Sequence, residues 1–137
     1  MYRKHLLYLT NERLVSTIWR AGKVLATESF SVDESGQLAF AEYLKRWAKL
    51  RVYLLVDLIE QDFRLDTIPH VRGGDRRALL DRKLTQVYRA TPYRYAVVQG
   101  RETTGRRDDR ALFTSVTNSE LLAPWLNAIA RSAPAPR

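Results

Sequence analysis

The sequence contains no cysteine among its 137 residues, and it contains only two histidines. Without thiols the chain can form neither a disulfide nor a thiolate metal site, and it offers no cysteine nucleophile. The histidines, His5 and His70, have no third partner at ligand spacing, so a metal site is not expected. The lack of cysteine fits a reducing compartment, and we expect a cytoplasmic protein.

Long apolar runs are absent as well. No window approaches the roughly 18 apolar residues that mark a membrane-spanning helix. Only four apolar residues follow Arg3, Lys4 and His5 before polar Thr10, so no signal peptide is expected. Any attachment to a membrane is therefore expected through a segment outside this chain.

Positive charge is what the sequence has in excess, with a formal net charge of +8. Such an excess suits a nucleic-acid partner if the fold gathers the charges onto one face. Along the chain the excess is even, at +3 in residues 1–50, +2 in residues 51–90 and +3 in residues 91–137. This even spread favours a solvated basic surface over a dedicated nucleic-acid patch.

Apolar patterning predicts an α/β domain organised around residues 51–69, RVYLLVDLIEQDFRLDTIP. The concentrated apolar run at 52–56 is typical of a strand buried on both faces, and residues 59–68 predict a half-exposed second strand of the pair. Before them, three strands joined by short turns predict an antiparallel meander. A helix capped by Asp33 or Ser35 follows the meander, and its apolar residues include Leu38.

Periodicity and turn signals place the remaining elements. A helix is predicted from Asp75 to about Arg89, and a final helix begins at Asn118 or Ser119. The predicted strands are residues 5–9, 14–20, 24–32, 52–56, 59–68, 93–99 and 111–116. We expect residues 1–131 to form a single domain, and we interpret residues 132–137, SAPAPR, as a linker leading into a longer chain.

Acidic residues near the central strand are the first candidates for chemistry. Asp57, Asp62 and Asp66 could hold two metal ions of the nuclease kind if their carboxylates converge from different strands. Asp62 and Asp66 lie four apart and therefore share a strand face. The competing interpretation is a solvated acidic face balanced by Arg51 and Arg64, and the sequence favours it.

Arginines and tyrosines supply the candidates for binding. The arginines lie around the glycine pair 73–74 and in the polar loop 100–110, and they are Arg72, Arg76, Arg77, Arg106 and Arg107. The glycine pair lacks the further residues of a phosphate loop, so a plain turn is favoured there. Tyr93 and Tyr95 could stack on bases, although packing under a helix explains their alternation more simply.

The order of elements resembles a known superfamily. The opening meander is predicted over HLLYLTNERLVSTIWRAGKVLATESF. The second part of the pattern is RVYLLVDLIEQDFRLDTIP, followed by GGDRRALLDRKLTQVYRATPYRYAVV. This pattern resembles the actin-like, ribonuclease-H-like superfamily, and within it the cytoplasmic modules of inner-membrane platform proteins in type II secretion and type IV pilus assembly. The resemblance covers about residues 4–99, and it implies a mixed sheet with flanking helices.

One departure from the superfamily bears on activity. Its ATP-binding members place an acid and glycines, of the kind Asp-x-Gly, in the first hairpin. Here residues 8–13 read YLTNER, with neither aspartate nor glycine. A backbone without glycine approaches a phosphate poorly, so neither a cofactor nor ATP hydrolysis is expected.

The resemblance therefore implies a non-catalytic docking or scaffold module of a membrane-associated assembly. Its expected partners are proteins, such as a secretion or pilus ATPase or a platform subunit. The alternative is a metal-dependent nuclease or nucleic-acid-binding domain on a ribonuclease-H-like fold, motivated by the net charge and by Asp57, Asp62 and Asp66. A nucleotide-binding remnant is a third possibility.

Overall fold

The computed structural model describes residues 2–132, so all but the first residue of the predicted linker lies outside the described residues. The chain divides into two compact units. Unit 1 contains the residues up to 59 and those from 120, and unit 2 contains residues 60–119. Across residues 2–132, no helix has the length and apolar character needed to cross a membrane.

The chain is a mixed α/β protein with two sheets and three helices in its described part. The elements in order are β1 (Arg3–Thr10), β2 (Arg13–Arg20), β3 (Lys23–Ser31), α1 (Glu34–Arg46), β4 (Arg51–Asp57), β5 (Gln61–Ile68), α2 (Gly74–Val87), β6 (Arg94–Arg101), β7 (Asp109–Val116) and α3 (Ser119–Ser132).

Unit 1 carries a four-stranded sheet of order β3-β2-β1-β4. The first three strands pair antiparallel, which confirms the predicted meander. After α1 the chain enters β4, which pairs parallel with β1. A parallel neighbour reached through a helix is the crossover that the sequence predicted.

The helix α1 begins where its sequence signals predict. Asp33 is its N-cap, and the Asp33 carboxylate accepts hydrogen bonds from the amide of Gly36 at 2.8 Å and from the hydroxyl of Ser31 at 2.7 Å. The hydrogen bond from Ser31, followed by that from Gly36, lowers the pKa of Asp33. The expectation for Leu38 was wrong, because its side chain is exposed. The apolar face of α1 runs instead through Phe40 and Leu44.

Aromatic side chains form the centre of the unit 1 core on one face of its sheet. The ring of Phe40 in α1 lies 5.4 Å from that of Phe30 in β3 and 5.4 Å from that of Trp125 in α3. Both contacts are edge-to-face, an arrangement that aromatic pairs prefer. Two helices therefore close the same side of the sheet.

The prediction that β4 is buried on both faces was wrong. Its residues alternate between half-buried and exposed, and Leu55 is 64% exposed. Among the described strands β4 pairs only with β1, so it lies at the end of the sheet. A strand can be apolar on both faces and still be covered on only one. In β4 the residues of one face are exposed to solvent.

Unit 2 carries a separate three-stranded antiparallel sheet of order β5-β7-β6. The strands β4 and β5 therefore do not pair with each other, in contrast to the predicted strand pair. The predicted hairpin of β6 and β7 is confirmed. The helix α2 packs on one face of this sheet, where Leu84 and Tyr88 contact Phe113 and its buried neighbours. A specific ribonuclease-H-like topology for the whole chain stays a prediction.

Candidate functional site

One face of the unit 2 sheet is apolar and open to solvent. Two rows of paired residues cross it, with Phe63 of β5 and Tyr95 of β6 on either side of Thr114, and with Leu65 and Val97 on either side of Leu112. Phe63 is 61% exposed, Leu65 74% and Tyr95 66%. We call these six residues the open face.

The alternation of a strand explains why this face is open. Residues of the opposite parity, including Ala111 and Phe113, point toward α2 and are buried. A single helix covers a single face of a sheet, so the second face remains uncovered within residues 2–132. The expectation that Tyr95 packs under a helix was therefore wrong. The sequence signal for an open face was that the residues of β5 and β6 that point away from α2 are apolar too.

The covered side of unit 2 contains a buried ion cluster that sequence reasoning missed. Asp109, 1% exposed, lies with Oδ1 2.8 Å from Nδ1 of His70 and with Oδ2 3.2 Å from Nη2 of Arg76. Burial raises the pKa of Asp109, but the hydrogen bond from His70 and the charges of His70, Arg76 and Arg101 outweigh it and lower that pKa. The cluster ties β7 to the start of α2.

The arginines predicted to bind a partner are not gathered into one site. Arg76 is engaged with Asp109, and the guanidinium of Arg106 lies 3.0 Å from the carboxylate of Asp108. Arg107 occupies a left-handed turn position with a φ of 54°, and its carbonyl accepts a hydrogen bond from Arg101. The remaining two, Arg72 and Arg77, are exposed near the start of α2.

The acidic residues of the nuclease alternative are each engaged by another side chain. Asp62 and Asp66 lie about 13 Å apart along β5, given the rise of a strand, which is too far for a shared ion. Asp62 pairs with Arg64 at 2.8 Å and Asp66 with Lys83 at 2.7 Å, while Asp57 belongs to unit 1 and accepts from Tyr8. Residues 2–132 contain no group of three or more candidate metal ligands.

A buried histidine and serine are in contact in the core of unit 1. Nε2 of His5 lies 2.7 Å from Oγ of Ser16, which in turn donates to the hydroxyl of Tyr43 at 2.9 Å. Burial lowers the pKa of His5. His5 and Ser16 are both fully buried, so no substrate can reach the hydroxyl, and the pair serves the packing of β1, β2 and α1.

The hairpin between β1 and β2 engages backbone amides at its tip through its own side chains. The backbone amides of Glu12 and Arg13 both donate to Oγ1 of Thr10, each at 3.3 Å. The side chain of Asn11 accepts from the amide of Ile59 at 2.8 Å. The side chain of Thr10 is therefore already bonded to two of the amides that a phosphate could use at this tip.

An open cavity of about 880 Å³ lies at the end of the unit 1 sheet where β1 and β4 begin. It is lined by five cations and by the rings of two tyrosines, and none of its lining residues is acidic. The cations are Arg3, Lys4, Arg20, Lys49 and Arg51, and the tyrosines are Tyr2 and Tyr53. We call it the basic cavity. The even spread of charge along the sequence did not predict this concentration.

Comparison with known proteins adds a fold relationship. No protein-family model and no curated protein matches the chain. The structure is similar to the cytoplasmic domain of EpsL, an inner-membrane component of the type II secretion system of Vibrio cholerae, with a TM-score of 0.56 and 16% sequence identity. The similarity covers 95% of this chain and 53% of that one. This chain thus spans about half the length of that domain, and at this identity the likeness is one of fold.

Proposed function

We propose that the chain is a non-catalytic docking module that binds a protein partner on the open face of unit 2. The exposed apolar surface of Phe63, Leu65 and Tyr95 is the observation that carries this proposal. Contiguous exposed apolar surface is uncommon on a monomer and marks interaction sites, and large aromatic residues are enriched where proteins bind each other.

The polar surroundings of the open face also suit a protein interface. Thr114 lies between Phe63 and Tyr95, and it supplies a hydroxyl within an otherwise apolar row. Arg64 of β5 and Arg94 of β6 belong to the opposite face of the sheet. There the guanidinium of Arg64 donates to the carboxylate of Asp62, and that of Arg94 donates to the carbonyl of Tyr88. A partner therefore meets six uncharged side chains at the centre of the open face.

The assembly that we propose is a membrane-associated secretion system, on the cytoplasmic side. The fold similarity to a cytoplasmic domain of such a system supports this setting. The absence of enzymatic activity is part of the proposal, and it is supported by the occupied amides of the first hairpin, Glu12 and Arg13. A secretion ATPase or a platform subunit is the class of partner that we expect.

Site-specific photo-crosslinking in the cells that produce the protein tests this function. A photoreactive amino acid replaces Leu65 or Tyr95 on the open face, and Leu38 on α1 serves as an equally exposed apolar control. We expect the open-face positions to crosslink to a component of an inner-membrane secretion assembly, and Leu38 to give no such product. Equal crosslinking from Leu38, or none from the open face, would contradict the proposal.

A further inference from the structure

Four cations of the basic cavity form two cross-strand pairs at one end of the unit 1 sheet. Arg3 is directly opposite Arg20 in the β1–β2 pairing, and Lys4 is directly opposite Arg51 in the β1–β4 pairing. Like charges directly opposite each other destabilise a sheet. The two pairs lie at the same end of the sheet but on its opposite faces, because Arg3 and Lys4 are successive residues of β1. Each pair by itself is unfavourable for the protein alone.

Within the described part of the chain, no carboxylate relieves this repulsion. Among residues 2–132, the carboxylates that form ion pairs do so with other basic residues, and none pairs with any of the five cavity cations. The nearest favourable contacts of Lys4 are with aromatic rings, at 5.2 Å from the ring of Trp19 and 5.8 Å from that of Tyr53. These positive charges are unfavourable for the fold and have no counter-charge. Such a departure from a stable arrangement is typical of a functional site, here one for an anion.

We infer that the basic cavity binds a short acidic segment of a partner protein. The three arginines present planar forks that match carboxylates bidentately, and the two lysines add point charges. Recognition of acidic motifs by clusters of arginine is an established mode of peptide binding. The volume of about 880 Å³ exceeds that of a single side chain, so several carboxylates can enter together. The inference rests on the proposed docking function only in that the partner is a protein.

The aromatic residues of the cavity favour a peptide over single-stranded nucleic acid. Non-specific binding of single strands depends on successive free aromatic faces on which bases stack. The amino group of Lys4 already lies against the rings of Tyr53 and Trp19, which leaves Tyr2 as the one other lining ring. Carboxylates need no free ring, because arginine forks alone can hold them.

Fluorescence anisotropy with a labelled oligoglutamate peptide tests the inference. The cavity variant is Arg20→Gln with Arg51→Gln, and the control is Arg72→Gln with Arg82→Gln, which removes the same charge from exposed positions in unit 2. We expect the peptide to bind the wild type and the control equally, and to bind the cavity variant about tenfold more weakly. The affinity of the wild type should fall as salt is added.

A second measurement separates binding from a structural role. Without peptide and at low salt, the cavity variant should have a Tm equal to or above that of the wild type, because the substitutions remove repulsion. A Tm several degrees lower would show that the cations serve the fold, and would overturn the inference. Equal peptide affinity of both variants, or none for the wild type, would overturn it too.

A parallel titration with oligothymidylate identifies the class of ligand. Tighter binding of oligothymidylate than of the peptide, lost in the cavity variant, would assign the site to nucleic acid instead. The outcome at the basic cavity is independent of the photo-crosslinking at Leu65 and Tyr95. Failure of the docking function at the open face and failure of this inference can therefore be told apart.

Discussion

Asp109 and His70 are 39 residues apart in sequence, yet Oδ1 of Asp109 lies 2.8 Å from Nδ1 of His70. We predict that Asp109→Asn lowers the Tm by about 5–10 °C, because Arg76 loses its counter-charge and the contact of His70 with a buried carboxylate is lost. Differential scanning calorimetry measures the change. The substitution Asp108→Asn at the neighbouring residue is the control. It should change the Tm by much less, because Arg106, the partner of Asp108, has a largely exposed side chain.

Because the pKa of Asp109 is lowered, the free energy of unfolding should depend on pH in the acidic range. A carboxyl whose pKa is lower in the folded state stabilises the fold above its unfolded pKa of about 3.9, and this stabilisation is lost as the pH falls through the folded pKa. The free energy of unfolding should therefore fall less steeply below about pH 4 in Asp109→Asn than in the wild type. Parallel curves for the two proteins would contradict this role of Asp109.

Two phenylalanines distinguish the two faces of the unit 2 sheet. We predict that Phe113→Ala destabilises the protein by about 3–5 kcal/mol, because Phe113 is buried under α2. Phe63→Ala should change the free energy of unfolding by no more than about 0.5 kcal/mol, because its side chain is largely exposed. Urea unfolding measures both. A large loss in Phe63→Ala would show that the open face is part of a core, and would remove the basis of the docking proposal.

Two glycines at helix starts should respond in opposite directions to alanine. A Cβ at Gly36 would clash with the carbonyl oxygen of Ser31, which belongs to the backbone and cannot easily move, so Gly36→Ala should cost about 3 kcal/mol. A Cβ at Gly74 meets no atom within 4 Å, and Gly74→Ala should be neutral or stabilise by about 0.5 kcal/mol. Thermal unfolding of the two variants compares them directly. If both lose stability alike, the close approach of Gly36 and Ser31 is not present in solution.

His5 should make the stability depend on pH near neutrality. Because burial lowers its pKa, the neutral form is favoured in the folded state, and stability is fully present above the unfolded pKa of about 6.5. It is lost as the pH falls from there toward the folded pKa. Urea unfolding at about pH 7.5 and about pH 5.5 should show this loss in the wild type. His5→Gln should reduce the difference, and an undiminished difference in that variant would contradict this role of His5.

Divalent metal should have no specific effect through the acidic residues of β5. Asp62 and Asp66 each pair with their own cation, so Mg²⁺ or Mn²⁺ should shift the Tm of the wild type and of Asp62→Asn with Asp66→Asn equally. Neither protein should cleave single- or double-stranded DNA in a gel assay. Metal-dependent cleavage by the wild type that the double substitution abolishes would restore the nuclease alternative.

Local signals in the sequence predicted the elements of unit 1 well. The turn residues Ala21 and Gly22 separate β2 from β3, and both have positive φ, as a tight hairpin turn requires. Asp33 caps α1 as its side chain and position predict. Such features depend on neighbouring residues, so a single sequence contains the information for them.

The partition into two sheets and the candidate sites could not be predicted in the same way. Whether Leu55 faces a helix or solvent depends on what the rest of the chain covers, which an apolar pattern does not encode. Arg3, Arg20 and Arg51 are separated by long stretches of sequence, and only strand pairing brings them to one cavity. The partner of Asp109 was likewise decided by the pairing of Ile68 with Asp109, which sets His70 beside it.

The two ends of unit 2 are tied together, since the amide of Thr117 donates to the carbonyl of Glu60 at 2.9 Å. Unit 1, by contrast, completes its core with Trp125, which the ribosome delivers only after all of unit 2. During synthesis unit 2 can therefore fold as a continuous segment before Trp125, whose ring contacts Phe40, has been made. In the chain, unit 2 is therefore an insertion between two parts of unit 1, and the two ends of this insertion lie next to each other, as is common where one domain is inserted into another.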